Sequence, residues 1–285
     1  MPLPWKKVSQ FRTDERLALQ NHLVQRFFRH QLPYSPYYRQ LFEQQKLGFE
    51  DIRSVDDLQR LPFTSKADLA PTEEDRARPR QFILQPDEHL IKHHAAKSQL
   101  LKIVWGKITK QDVKAKLEWE YKPVHMHFTT GRTALPTPFV YSTRDLELLK
   151  ESGRRLFDVG GFTKELRALN GFPYSPHLAF WLAYYAMVAV GMTSLATGGG
   201  KVMGTQKIID AMERLKINLG TFIPGYSYHL LREAVRQQRD FSDLKFLVFG
   251  GERVSDGLRQ KVRELTEQLK AREVQVYATY ALTEA

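Results

Sequence analysis

The feature that most constrains the fold of this chain is a regular alternation that begins at Val124. Short runs of β-branched and apolar residues take turns with segments whose apolar residues recur at helical spacing. The pattern predicts strands over 124–129, 138–141, 166–172, 193–197, 219–223, 244–249 and 274–277. It predicts helices over 142–157, 205–215, 226–237 and 255–270, and one that begins at 178. Such alternation predicts an α/β fold with a twisted, mostly parallel sheet flanked by helices.

The first 123 residues carry a different pattern and are predicted to form a helical N-terminal segment. Leu19, Leu23 and Phe27 recur at helical spacing and predict a first long helix. Residues 86–123 give weak signals, and we expect 103–105 and 117–119 to be small packing elements. The sequence therefore divides into a helical part, 1–123, and an α/β part, 124–285.

One stretch, residues 168–200, contains no charged residue and is long enough to be considered as a membrane span. Pro173 and Pro176 interrupt its start, and Gly191 stands where a helix of ordinary length would end. A helix that is apolar on all sides is also typical of the interior of a large domain. We therefore predict a buried helix that begins at Leu178, and no membrane partner.

The composition excludes several classes of function. The absence of cysteine rules out a disulfide framework, a thiol nucleophile and a cysteine-bound metal, and it fits a cytoplasmic protein. The formal net charge is +11, which favours anionic partners. The basic residues are spread along the chain, so a nucleic-acid partner is not expected. His89, His93 and His94 cluster without an acidic residue at ligand spacing and do not predict a metal site.

Two segments that follow predicted strands could contact a nucleotide. In parallel sheets, ligands bind beyond the carboxyl ends of strands, which is where these segments lie. Residues 129–137 combine threonines, a glycine and Arg132 in a turn that can hold phosphate oxygens, or that is simply a polar turn. Gly250 and Gly251, just before Glu252, would let a flat ring lie against the backbone, although a helix start has the same composition.

A third segment follows the last predicted strand. Tyr280, Thr283 and Glu284 bring an aromatic face, a hydroxyl and a carboxylate close together. An adenine could stack on the ring, the hydroxyl could bind phosphate, and the carboxylate could bind Mg²⁺. Taken alone, the same residues could occur in any surface loop.

The order of the three segments resembles the nucleotide-binding motifs of the adenylate-forming superfamily, which includes acyl-CoA synthetases, luciferases and adenylation domains. Residues 129–137 resemble its phosphate loop, S-S-G-T-T-G-K-P-T in the phenylacetate–CoA ligase branch. Residues 250–252 resemble its Gly-Gly/Ala-Glu segment, and 280–284 its Tyr-Gly-x-Thr/Ser-Glu motif. The chain departs from these motifs at Arg132 (threonine in the family), Ala134 (glycine), Leu135 (lysine) and Ala281 (glycine). We expect Arg132 to offset the missing lysine.

The beginning of the chain narrows the resemblance to phenylacetate–CoA ligases. Residues 34–39, Tyr-Ser-Pro-Tyr-Tyr-Arg, resemble the P-x-Y-R opening of that branch. Residues 56–69 resemble its D-L-x-x-L-P-x-x-x-K-x-D-L pattern. The resemblance covers nearly the whole chain, and residues 86–123, where it is weakest, are interpreted as a lineage-specific insertion.

The resemblance implies ATP-dependent activation of a carboxylic acid to acyl-AMP, followed by thioester formation with CoA or a carrier-protein thiol. ATP, Mg²⁺ and CoA would be required. The residues implied at the ATP phosphates are Thr129, Thr130, Gly131, Arg132 and Thr133. Those implied at the adenine are Gly250, Gly251, Glu252, Tyr280 and Ala281. Thr283 and Glu284 would be catalytic, the first near the α-phosphate and the second at Mg²⁺.

The resemblance also implies a pocket for the acid, formed by Tyr174, His177, Gly199 and Tyr226, although each could simply pack the core. Aromatic walls suit an aryl or fatty acid, and His177 is expected to begin a helix rather than act as a base. Members of this branch are often dimers, which implies a homodimer. Because the family continues past the position of Ala285 into a C-terminal lid domain, we expect an incomplete fragment with weak nucleotide binding and little activity.

Two other functions stay open at this point. A non-catalytic module could keep the fold and bind a nucleotide or a carrier without completing the reaction. A basic nucleic-acid-binding protein would need lysine and arginine gathered on one face, and its binding would depend steeply on salt.

Overall fold

A computed structural model of the chain describes residues 4–109, 112–128, 136–174 and 177–281. The described residues fall into two compact units. The first comprises those of Met1–Met126 and Thr130–Arg144, and the second comprises those of His127–Thr129 and Asp145–Ala285.

The first unit is mainly helical. Its helices are α1 (Trp5–Val8), α2 (Thr13–His30), α3 (Pro36–Gln44), α4 (Lys66–Leu69), α5 (Glu88–His94), α6 (Lys97–Ile108) and α7 (Val113–Tyr121). Short 3₁₀ helices occupy Leu32–Tyr34, Phe49–Asp51, Asp56–Arg60 and Arg78–Phe82. Phe28, Leu32, Phe42 and Ile52 form its buried cluster. The long first helix is confirmed, but Leu23 and Phe27 are exposed and its inward face carries Phe28.

Strands β1 (Pro123–Phe128) and β2 (Pro138–Ser142) form a two-stranded sheet of their own. The prediction that they begin the large parallel sheet was wrong. Val124 and Met126 are exposed in β1, whereas central strands of a parallel sheet are buried on both faces. An apolar, β-branched run predicts a strand but does not specify which sheet the strand joins.

The interpretation of residues 103–105 and 117–119 as small packing elements was also wrong. Both lie within helices, α6 and α7, and Trp105 and Trp119 are exposed rather than packed. The start of α7 carries an N-cap signal, because the Asp112 side chain accepts the N–H of Ala115.

The second unit contains a five-stranded sheet in the order β4-β3-β5-β6-β7. The strands are β3 (Arg167–Asn170), β4 (Thr193–Ala196), β5 (Leu219–Phe222), β6 (Phe246–Phe249) and β7 (Gln275–Ala278), and every neighbouring pair is parallel. The helices are α8 (Thr143–Val159), α9 (Leu178–Val190), α10 (Thr205–Arg214), α11 (Pro224–Arg236) and α12 (Asp256–Gln268). The predicted fold class is confirmed.

The two faces of this sheet carry separate cores, because successive side chains of a strand point to opposite faces. One core packs Leu169 and Phe222 against residues of α10, α11 and α12. The other packs Ala168 and Leu219 against residues of α8 and α9. Helices therefore cover both faces, as in a doubly wound α/β sheet.

The uncharged segment forms the helix α9 and the short strand β4, as predicted. The helix ends at Gly191, whose φ of +77° lies in the left-handed region that glycine adopts at helix C-termini. Phe180, Ala183, Ala186 and Met187 of α9 are buried. Within the described ranges, no helix combines the length and the apolar character that crossing a membrane requires.

Candidate functional site

The strand order changes direction between β3 and β5. These strands are neighbours, yet β3 leads into α9 on one face of the sheet and β5 leads into α11 on the other. Where the connections from adjacent parallel strands diverge in this way, their loops leave a space for a ligand. The loops after β3, β4, β5, β6 and β7 all lie at this edge because the strands are parallel.

Asn170, the last residue of β3, organises this edge. Its side-chain amide donates to the carbonyl of Phe180 in α9 at 3.0 Å. Its side-chain carbonyl accepts from the Phe172 N–H and the Thr221 hydroxyl, each at 3.2 Å. Asn170 is almost completely buried, so these bonds replace those it would make with water. One side chain thus fixes the β3 loop to β5 and to the first turn of α9.

The loops after β6 and β7 are tied together at the same edge. The N–H and the hydroxyl of Thr279 both donate to the carbonyl of Phe249, at 2.7 and 3.0 Å. A Cβ atom at Gly250 would lie 3.0 Å from the Thr279 hydroxyl oxygen and 3.3 Å from the ring of Phe172. Gly250 is therefore enclosed between the loops that follow β3 and β7, where any side chain would force its neighbours apart.

The next residues present an open surface. Gly251 is exposed and has φ of +83°, and a Cβ there would have no atom within 4 Å. Tyr280 is 86% exposed, and Ala281 beside it is exposed as well. Gly251 follows β6 and Tyr280 follows β7, and these two strands are paired neighbours. The exposed glycine backbone and the exposed tyrosine ring therefore follow adjacent strands.

Glu252 connects this surface to the start of α11. Its carboxylate accepts the N–H of Gly225 at 3.2 Å. Carboxylates are favoured at helix N-termini because the first N–H groups have no partner within the helix. The β6 loop and the β5 loop are therefore joined by a side chain that the sequence analysis had placed in the adenine cleft.

Tyr226 lies one residue further along α11 and packs against the loop after β4. A Cβ atom at Gly200 would lie 2.6 Å from the Tyr226 ring and its hydroxyl oxygen, so the ring rests on bare backbone. The Tyr226 hydroxyl is 3.4 Å from that of Thr205. Burial raises the pKa of Tyr226 above its ordinary value.

Tyr174 and Gly199 lie at the other end of the row of loops. The Tyr174 hydroxyl donates to the carbonyl of Ala196 at 3.0 Å, and its ring meets that of Phe180 edge to face at 4.6 Å. The Gly199 N–H donates to the Thr197 hydroxyl at 3.2 Å. About half of the Tyr174 side chain stays exposed and can contact a ligand.

His177 precedes the first residue of α9, as expected of a helix-start residue. A nitrogen of its ring, Nδ1, lies 2.9 Å from the carbonyl oxygen of Phe128 at the end of β1. Phe128 is the residue immediately before the predicted phosphate loop. The end of β1 is therefore held next to the loop that follows β3.

Seven predicted site residues lie outside the described residues: Thr129, Thr130, Gly131, Arg132, Thr133, Thr283 and Glu284. Within the part of the chain that is described, no three histidine or acidic residues come together in a way that could hold a metal ion. The remaining predicted residues line one edge of one sheet, and contacts between successive loops join most of them.

Sequence reasoning missed Asn170 and Thr279, and it missed the bond between Gly225 and Glu252. A signal existed for Asn170, because a polar amide at the end of an uncharged, strand-forming run is expected to be buried and bonded. Gly225 and Thr279 act through contacts with residues 27 and 30 positions away, which no local pattern reveals.

A parallel sheet covered on both faces, with glycine-rich loops along its carboxyl edge, is the architecture of the large domain of adenylate-forming enzymes. A solved structure of 2-hydroxyisobutyryl-CoA ligase in complex with 2-HIB-AMP and CoA superimposes on this chain with a TM-score of 0.74 and 18% sequence identity. The match covers 96% of this chain and 50% of that protein, and at this identity it establishes the fold alone.

The chain belongs to the AMP-binding enzyme family, whose sequence profile matches residues 54–285. It is 24% identical to the phenylacetate–coenzyme A ligase of Aromatoleum evansii over 258 residues. The aligned region covers 90% of this chain and 49% of that enzyme. The chain is 23% identical over 252 residues to the enzyme of the same name from Pseudomonas putida, covering 87% and 48%. The chain thus spans about half the length of the curated relatives it matches, and the resemblance to this superfamily is confirmed.

Proposed function

We propose that this chain supplies the nucleotide- and acid-binding edge of an enzyme that converts a carboxylic acid to acyl-AMP with ATP and then to a thioester. One observation carries the proposal. The described residues expected at the adenine and those expected at the acid lie along the same carboxyl edge, linked through Thr279, Glu252 and Asn170. A reaction between two bound substrates requires such adjacency.

The adenine is proposed to bind across Gly250 and Gly251 beside Tyr280. Exposed backbone free of side chains fits a flat heterocycle, and an exposed tyrosine ring can stack on it. Glu252 and Ala281 flank this surface. The fit is chemical as well as steric, because backbone N–H and carbonyl groups can bond to the edge of a purine.

The phosphates are proposed to bind residues 129–133, which follow directly on Phe128. The contact between Phe128 and His177 supports this proposal, since it holds the residue that precedes the segment beside the β3 loop. Arg132 would supply positive charge to stabilise the charge that spreads over the phosphates. Thr283 would serve the α-phosphate, and Glu284 would hold Mg²⁺, which favours oxygen ligands.

The acid is proposed to lie near Tyr174, Gly199 and Tyr226. Tyr174 offers a half-exposed ring, and Tyr226 rests on Gly200 at the opposite side of the β4 loop. An aromatic or otherwise apolar acid suits these surroundings, because it gains contact with rings without leaving a polar group unpaired. CoA is the proposed acceptor because the matched relatives are named as CoA ligases.

Calorimetric titration with ATP, AMP and CoA tests the proposal through binding, and so does not depend on turnover. We expect Thr130→Ala, Tyr280→Ala and Glu284→Ala each to weaken nucleotide binding about tenfold or more, the last only with Mg²⁺ present. Gly250→Ala should weaken it as well, because the added methyl group would press on Thr279 and Phe172.

Gly257→Ala is the matched control. Gly257 lies in α12, and a Cβ there would have no atom within 4 Å, so nucleotide affinity should not change. Unchanged nucleotide binding in all four site variants would show that the site assignment is wrong. Nucleotide binding without any binding of a carboxylic acid would favour the non-catalytic module instead.

A further inference from the structure

Helix α6 exposes a row of large apolar side chains. Leu101, Val104, Trp105 and Ile108 are 70%, 55%, 65% and 69% exposed, and we refer to these four residues as the α6 stripe. Their spacing of three, four and seven residues places them on one face of the helix. Adjacent large apolar residues left in water mark a surface that contacts something else.

Helix α7 packs against α6 and adds a second exposed tryptophan. Trp119 is 47% exposed. Tryptophan combines a large apolar ring with one polar N–H group, and it is favoured where an apolar medium meets water. Both helices lie within the first unit.

The same segment is strongly basic. Residues 97–122 contain seven lysines against three acidic residues, a net charge of +4. Glu118 pairs with Lys122 of the same segment at 3.4 Å, which leaves the net charge unchanged, and Glu120 lies 3.7 Å from Arg144. The surface around the α6 stripe is therefore expected to attract anions.

We propose that α6 and α7 dock on the surface of a membrane that contains anionic lipids. A helix that exposes leucine, isoleucine and tryptophan on one face, in a segment rich in lysine, can lie in the plane of the interface with that face among the acyl chains. Lysine stems run along that apolar boundary while their ammonium groups reach the lipid phosphates. The α6 stripe supplies the inserted face and the lysines supply the attraction to anionic headgroups.

The charge and the shape of the segment favour lipid over the other candidates. A second copy of the chain would bring two segments of net charge +4 together, which electrostatic repulsion opposes. Nucleic acid would engage the lysines but leave the aliphatic side chains in water. At twelve residues, α6 is too short to span a bilayer, so the proposed membrane binding is peripheral. The sequence predicted no membrane partner because it contains no membrane-spanning segment. That prediction did not consider a helix that lies on the membrane surface.

Sedimentation with lipid vesicles tests the proposal. The chain should bind phosphatidylcholine vesicles that contain about 30% phosphatidylserine, and bind pure phosphatidylcholine about tenfold less. The double variant Leu101→Gln, Ile108→Gln should lose about tenfold or more of the binding to anionic vesicles, because two inserted side chains become polar. Glutamine keeps the helix propensity of these positions.

The matched control is the double variant Val159→Gln, Val202→Gln, which makes two exposed apolar residues of the second unit polar. It should bind vesicles as the unaltered chain does, and thermal unfolding followed by circular dichroism should be alike for both variants. Equal vesicle binding by the two double variants would overturn the proposal, as would no binding by the unaltered chain. Loss of self-association in the α6 variant, without vesicle binding by any form, would overturn it in favour of a second copy.

Discussion

Helices α9 and α6 are both rich in large apolar residues, yet they end in opposite surroundings. In α9, Phe180, Ala183, Ala186 and Met187 are buried against the sheet and α8. In α6, the four residues of the α6 stripe face water. The difference shows that an apolar helix becomes part of a core only where a sheet or another helix packs against its apolar face.

The sequence already separates the two helices, although not by their hydrophobicity. Helix α9 has no charged residue and stands between two strand-forming runs that supply the layer beneath it. Helix α6 is interrupted by lysines and has no neighbouring strand on its N-terminal side. Substitutions of Met187, Asn170 and Trp105 test whether this contrast is real, and Glu213→Gln tests the packing of α10 on the same sheet. The four are given from the largest expected effect to the smallest, with Asn218→Ala as a control.

Met187→Ala should have the largest effect on stability. Met187 is completely buried in α9, and shortening it removes packed atoms and leaves a cavity. We expect a loss of about 3 kcal/mol in the free energy of unfolding, measured by urea denaturation. A loss below about 1 kcal/mol would mean that α9 is not packed as a core helix.

Asn170→Ala should have the next largest effect, because it removes the side chain that holds the first turn of α9. The carbonyl of Phe180, the N–H of Phe172 and the hydroxyl of Thr221 would each lose a partner. We expect a loss of about 2 kcal/mol, since buried polar groups left unbonded are destabilising.

Asn218→Ala is the matched control for that substitution. Asn218 is also a buried asparagine that bridges segments, but it bonds to Arg167 and Asp243 at the opposite end of the strands. Both variants should lose stability, but hydrogen exchange at residues 178–182 should rise only in Asn170→Ala. Equal exchange in both would show that Asn170 does not hold α9.

Acid should weaken the contact between α10 and the loop before β6, where the Glu213 carboxylate makes one ion pair and one backbone hydrogen bond. The carboxylate of Glu213 accepts the N–H of Asp240 at 2.8 Å and binds Arg239 at 2.7 Å, and these bonds lower the pKa of Glu213. A lowered folded-state pKa contributes stability above the unfolded-state pKa of about 4.3, and this stability is lost as pH falls. Glu213→Gln should flatten the fall in Tm between about pH 5 and about pH 3, and an unchanged slope would contradict the assignment.

Trp105→Ala should have the smallest effect on folding. Because most of the Trp105 side chain is exposed on α6, its removal in water should change the free energy of unfolding by less than about 0.5 kcal/mol. A loss comparable to that of Met187→Ala would show that α6 is covered by other residues of the chain. The α6 stripe would then be part of a core, and the contrast with α9 would disappear.

The sequence was sufficient to predict the architecture of the second unit. Helices α10, α11 and α12 have apolar residues at helical spacing, and β3 to β7 are short runs between turn residues, so local pattern and tertiary fold agree. The boundaries shifted by one or two residues, as at the start of β6, where Leu244 and Lys245 precede the strand.

The parts that could not be predicted depend on long-range partners. The assignment of β1 and β2 to a separate sheet is set by pairing, which alternation alone does not encode. The contact of Glu252 with Gly225 and the role of Asn170 depend on the strand order, which becomes known only once the sheet is assembled. The family motifs pointed to Gly250, Gly251 and Tyr280 because the same residue types occur there in related sequences. The motifs did not indicate which residues lie around them.

The bond between Glu252 and Gly225 has a consequence for how a nucleotide could be oriented. Helix N-termini usually attract phosphate, but the first residue of α11 is Pro224, which has no N–H, and the N–H of Gly225 is already taken by a carboxylate. A phosphate brought here would meet negative charge instead of a free donor. If the proposed nucleotide binds along this edge, we expect the start of α11 to disfavour its triphosphate end and to suit its uncharged end.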